Sequence, residues 1–164
     1  MRVDDPITMR PGTRKRDRNL DRSALPAHGA HTMPQDAEKR VRAFYEHTAP
    51  GHREALRGLQ TSHVVYDMPE GMPIGAGHYE GLDDVLGRFL TSFYGALDVH
   101  FLAEEFVAAR DTVAAIGRIQ GKTRAAGVPV DVPFVHVWTV RDGHLQRMRA
   151  FTDTALLARL LGKS

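Results

Sequence analysis

Two carboxylates, a phenol, an imidazole and an indole are set into otherwise apolar stretches of this chain. Tyr45 follows Phe44 on a helical stripe, and Asp67 closes the run Val64-Val65-Tyr66. His136 and Trp138 alternate within a β-branched segment, and Asp153 lies two residues beyond Phe151. A carboxylate can take a proton from a carbon acid while a phenol and an imidazole donate to the oxygen that gains charge. Asp67, His136, Tyr45 and Asp153 are therefore the candidate catalytic residues. Trp138, Arg118, Phe134 and Tyr79 are the candidate substrate contacts. Each has a structural reading beside the chemical one. His136 can be a hydrogen-bonded core group, Asp153 directly before Thr154 suits a helix N-cap, and Arg149 can simply pair with a carboxylate.

The elements that must position these groups follow from hydrophobic period and turn chemistry. Ala37, Val41, Phe44, Tyr45 and Thr48 recur at helical spacing after Pro34, which suits a first turn. A short helix is expected from Arg53 to Leu59, a strand from His63 to Asp67, and a Gly/Pro-rich loop from Glu70 to Gly77. His78-Tyr79-Glu80 reads as a short strand. A third helix runs from Leu82 to about Tyr94, with Asp83 and Asp84 at its positive end. Val99 to Ala108 and Thr112 to Thr123 are strands that turn at Arg110-Asp111. Val128 to Asp153 reads as two long strands joined at Arg141-Asp142-Gly143, an Asp-Gly hairpin signal, before a short helix from Thr154 to Leu161. Helices followed by runs of strands imply an α+β fold. The first strand of that hairpin is apolar on both faces, so both faces need cover. A second copy of the chain is the expected cover for one of them, giving a homodimer through the sheet.

Composition excludes several classes. With no cysteine there is no disulfide framework and no thiolate metal site. Seven histidines lie beyond residue 33, but none form an HExxH pair, and no metal or cofactor is expected. Gly75-Ala76-Gly77-His78-Tyr79-Glu80-Gly81 has the wrong spacing for a nucleotide loop. Residues 1–33 carry seven Lys/Arg against four acids, and the rest of the chain carries 15 against 16. That leader reads as a solvated basic tail, apart from a domain at 34–164, and nucleic acid is not the expected partner. Met33 opens the ordered pattern, which leaves open a start there with residues 1–32 upstream of the native protein; mass spectrometry finding Met1 retained would end that alternative. Neither a membrane span nor a secretory leader is legible, which points to the cytoplasm.

Taken together, the order of elements and several segments resemble the nuclear transport factor 2-like superfamily, in its SnoaL-like and ketosteroid-isomerase-related branch. The segments are Val65 to Pro73, Gly77 to Gly81, Gly117 to Gly121, Val130 to Trp138, Asp142-Gly143 and Phe151 to Ala155, so the likeness spans about Pro34 to Leu161. It implies a curved, cone-shaped antiparallel sheet around about three N-terminal helices, with an apolar pocket at the open end. In ketosteroid isomerases an aspartate base sits late in the first strand. A tyrosine of the first helix and a protonated carboxylic acid of a central strand are the oxyanion donors. Matched by position, the base falls at Asp67 or at Met68, the tyrosine at Phe44 or Tyr45, and the acid near His136. Limonene-epoxide hydrolases place an acid near Ala150, where this chain has none. SnoaL-like polyketide cyclases use an Asp/His pair, for which Asp67 or Asp153 with His136 would serve. The resemblance thus implies cofactor-independent acid–base chemistry beside a carbonyl of a hydrophobic small molecule; the alternative is a non-catalytic binder or scaffold of the same fold.

Overall fold

The computed structural model describes residues 32–48 and 52–163. The basic leader and its relation to the domain at 34–164 lie outside the described residues. Helix α1 (Pro34–Glu46) buries Ala37, Val41 and Phe44 and opens with Pro34 in its first turn. Helix α2 (Arg53–Leu59) leads into strand β1 (Gln60–Met68) and the short β2 (Gly77–Glu80). Strands β3 (Leu97–Ala109), β4 (Thr112–Thr123), β5 (Pro129–Arg141) and β6 (His144–Thr152) follow the expected boundaries closely. The six strands form one sheet in the order β2-β1-β6-β5-β4-β3, curved around the helices in an α+β cone. All pairs are antiparallel except β1 with β6, which is parallel. That one parallel pair makes the sheet mixed, where a wholly antiparallel one was expected. The physical reason is topological: β1 enters from the helices and fills the free side of β6, which already runs in its direction.

The third helix also differs from the expected regular one. Asp84–Phe89 forms a wide π-type turn, and only Leu90–Ala96 continues as α3. Val85, Leu86, Phe89 and Leu90 all reach the core from this segment. At the β5–β6 hairpin, Asp142 and Gly143 both adopt positive φ, 50° and 72°. That is the mirror-image turn for which Asp-Gly is suited. Short helix α4 (Thr154–Leu160) ends the fold, with Leu157 fully buried.

Curvature comes from β3 and β4. The pairing shifts by one residue between Ala103 and Glu105, a bulge that turns Phe101 and Ala103, then Phe106 and Ala108, toward the helices. Opposite it lies Gly117, where an added Cβ would stand 1.9 Å from the Leu102 carbonyl oxygen. Only a residue without a side chain permits that approach.

Candidate functional site

The concave side of the sheet, closed by the helices, holds a narrow apolar cavity that is partly open to solvent. Its walls come from every element except β2 and α4. Met68, Met72 and Met148 form one side; Phe89, Leu90, Phe93 and Tyr94 come from the π turn and α3. Phe44 and Thr48, Leu56, Tyr66, Phe101, Ile119, Ala150 and Thr152 complete it with His136. Polar groups on the wall are mostly satisfied within the protein. Tyr66 donates to Gln60 Oε1 at 2.7 Å, and Gln60 in turn donates to the Leu56 carbonyl at 2.9 Å. The Tyr94 hydroxyl donates to the Thr48 carbonyl, and Thr152 donates to the Pro133 carbonyl at 2.8 Å. Burial raises the Tyr94 hydroxyl to about 12 and pushes the Tyr66 hydroxyl up as well, so both stay neutral.

His136 is the exception. Strand alternation turns Val132, Phe134, His136, Trp138 and Val140 inward, and His136 is 6% exposed. Its Nδ1 lies 2.8 Å from the Tyr45 hydroxyl, which also accepts from Trp138 Nε1 at 3.0 Å. Its Nε2 has no protein partner among the described residues, and the ring lines the cavity. Phe101 and Phe134 pack on it with centroids 5.5 and 4.4 Å away. Burial in this apolar setting lowers His136 from 6.5 to about 3, and burial raises the Tyr45 hydroxyl despite the Trp138 hydrogen bond. The imidazole is therefore neutral at ordinary pH.

The other expected site residues lie elsewhere, and these are corrections of place. Asp67 is on the outer face of β1, where its carboxylate accepts from His78 Nδ1 at 2.8 Å and Arg147 Nε at 2.7 Å. Partial burial pushes its pKa up, but these two partners outweigh that and hold it below the usual range. It is an ionised surface carboxylate, and Met68 takes the inward position that the resemblance offered as the other choice. Asp153 caps α4, accepting from the Leu156 N–H at 2.8 Å. Arg118 lies on the outer face and pairs with Asp131. Tyr79 and Phe134 are buried but outside the cavity wall; Tyr79 packs on Phe89 at 5.2 Å. Tyr45 and Trp138 stand behind His136, in contact with it or with each other, and not on the wall. Of the eight, only His136 faces the cavity. The wall residues that were not foreseen are apolar apart from Thr48, Tyr66, Tyr94 and Thr152, and in the sequence they differ in no way from other core positions. Met68 and Phe44 carried a signal, as the neighbours of Asp67 and Tyr45 in the match by position. Among the described residues no three His, Cys, Asp or Glu side chains gather as a metal-ligand set.

A curled sheet wrapped around three helices and a π turn is the architecture that the resemblance implied. The SnoaL-like domain model matches residues 41–148, well over half of the sequence. The chain belongs to the SnoaL-like family. Solved structures agree at the level of the fold. An NTF2-like protein of Burkholderia thailandensis is 25% identical, covering 76% of this chain and 96% of its own, with a TM-score of 0.70. A candidate SnoaL-like polyketide cyclase of Jannaschia sp. CCS1 is 21% identical over 80% and 94%, with a TM-score of 0.66. A candidate isomerase of Bacillus subtilis is 20% identical over 79% and 95%, with a TM-score of 0.67. No curated protein matches the chain. No helix among the described residues of this SnoaL-like domain is long and apolar enough to cross a membrane.

Proposed function

We propose that this SnoaL-like protein binds a largely apolar small molecule in the cavity, with His136 as the polar contact. The observation that carries this reading is the wall itself: methionine, aromatic and aliphatic side chains with one open polar group. Such cavities bind ligands by apolar burial, and a few polar groups set orientation. Proton abstraction beside a carbonyl by Asp67 is the weaker reading, because its carboxylate is on the far side of β1 and already paired. A neutral His136 that resists protonation down to about pH 3 is a poor general base near pH 7. What favours the catalytic reading as a second choice is the accessible Nε2 of His136, a group able to stabilise an enolate oxygen without a protein base.

The test uses methionine methyl groups as reporters. Titrating 1-indanone into protein carrying ¹³C-methyl methionine should shift Met68, Met72 and Met148, and leave Met33, which is outside the cavity. Ala150→Phe should weaken binding at least about tenfold by filling the space, while Asp67→Asn changes it less than about twofold. Absent methyl shifts, or an Asp67→Asn effect as large as that of Ala150→Phe, would overturn the reading.

A second copy of the chain remains the proposed partner for the outer face of the sheet. Ala114, Ile116, Val135 and Val137 make an apolar band there, continued by Val107 and Phe151, each 53% exposed. Glu105 flanks the band beside Ile116, and Arg149 flanks it beside Val137. Two copies packed with their strand orders reversed would bring each Arg149 edge over the other's Glu105 edge. Val135→Arg should then convert a dimer into a monomer in sedimentation equilibrium; a wild-type monomer at tens of micromolar would exclude it.

A further inference from the structure

Resting on the apolar-ligand reading, we propose that the cavity selects a flat, uncharged molecule through one oxygen acceptor. That acceptor is a ketone or quinone carbonyl bound by the Nε2–H of His136, and Tyr45 is the positioning residue that places this proton. Three hydrogen-bonding groups meet at the Tyr45 oxygen's position. An indole N–H can only donate, so Tyr45 accepts from Trp138. The phenol has a single proton, and the acceptor within reach of it is His136 Nδ1, at 2.8 Å. Were Tyr45 to accept from a protonated Nδ1 instead, its own proton would be buried without a partner, at a cost that hydrogen-bond satisfaction normally forbids. Tyr45 therefore donates, Nδ1 is a bare acceptor, and the proton of the neutral ring resides on Nε2. Phe101 and Phe134 pack against the ring and Tyr45 holds its Nδ1, so the direction of Nε2–H is set before any ligand arrives.

The rest of the wall narrows the ligand class. Among the described residues it contains no carboxylate to receive a cation and no Lys or Arg to receive an anion. A charged ligand would be desolvated without a counter-charge. A ligand offering only N–H donors would oppose donor to donor at Nε2. A carbonyl oxygen on an apolar ring satisfies the one open donor, and a site of this kind discriminates strongly against the analogue that lacks the acceptor.

The full chain labelled with ¹⁵N-histidine tests this with a matched pair, 1-indanone and indane. At about pH 6 His136 should be neutral, with its proton on Nε2 and Nδ1 in the unprotonated range. Adding 1-indanone should shift Nε2 and its proton, whereas indane should shift the Met68 and Met148 methyl groups and leave Nε2 unmoved. In Tyr45→Phe the ring should become a mixture of tautomers, and the preference for indanone over indane should fall about tenfold. If that variant does not fold, the wild-type spectrum decides the tautomer alone. A proton on Nδ1, or an imidazolium, overturns the proposal. Equal responses of Nε2 to both ligands, with methyl groups shifting in both, overturn it while apolar binding stands. No methyl shift with either ligand removes the apolar-ligand reading and this proposal with it.

Discussion

Replacing Gly117 by alanine is expected to cost about 3 kcal/mol of unfolding free energy, a large share of what holds a domain of this size together. The effect is out of proportion to one methyl group. The new Cβ would lie 1.9 Å from the Leu102 carbonyl oxygen and 2.9 Å from the Ala103 Cα. Both obstacles are backbone, which cannot rotate aside as a side chain would. Strand β3 would have to lift from β4 at the bulge, opening the curl that keeps Phe101 against the cavity. Gly95→Ala is the control. Gly95 is in helix α3 with nothing within 4 Å of its Cβ position, so alanine there should be neutral or should stabilise by about 0.5–1 kcal/mol. Urea titration of the two variants checks the contrast; similar midpoints for both would mean that β3 and β4 do not approach so closely.

Acid should weaken the fold through His136 by an amount that can be isolated. Its pKa falls from 6.5 to about 3 on folding because burial disfavours the imidazolium. Below 6.5 the unfolded chain takes up a proton that the folded chain refuses, so stability is lost as pH falls from about 6.5 to about 3 and is level above that window. At pH 4.5 the window has been entered by about two units, which at 1.36 kcal/mol per unit is about 2.7 kcal/mol. Asp67 and Asp131 are also held below their ordinary values by Arg147 with His78 and by Arg118, and they weaken the fold in acid as well. A His136→Phe protein keeps those carboxylates and lacks the imidazole. The stability difference between wild type and His136→Phe, measured in urea at pH 7.5 and pH 4.5, should therefore change by about 2–3 kcal/mol. A difference that stays level within about 0.5 kcal/mol would mean that His136 is solvated or charged in the folded protein.

What the chain shows by itself is what neighbouring residues decide. The Asp142-Gly143 turn and the stripe on α1 are local and stand as read, and of the two readings of Asp153 the local one, a helix cap, is what the structure shows. Alternation along β5 put His136 on one face with Phe134 and Trp138, although the strand is apolar on both faces and only packing made that face the inner one. β1 offered no such guide. Val64, Val65 and Tyr66 are apolar on both faces, and the pairing with β6 shifts between Gln60 and Val65, so no local pattern distinguishes Asp67 from Met68. Only the parallel pairing with β6 turned Asp67 to Arg147 and Met68 to the cavity. The same is true of the π turn, which no residue of Asp84–Phe89 signals as a break from the regular helix. The contacts from Tyr45 to His136 and Trp138 join residues 91 and 93 apart. Chain order shows that a phenol, an imidazole and an indole are present, but a hydrogen bond requires a distance and a direction. Those are decided by how a helix sits in the curl of a sheet, which depends on packing across the whole domain.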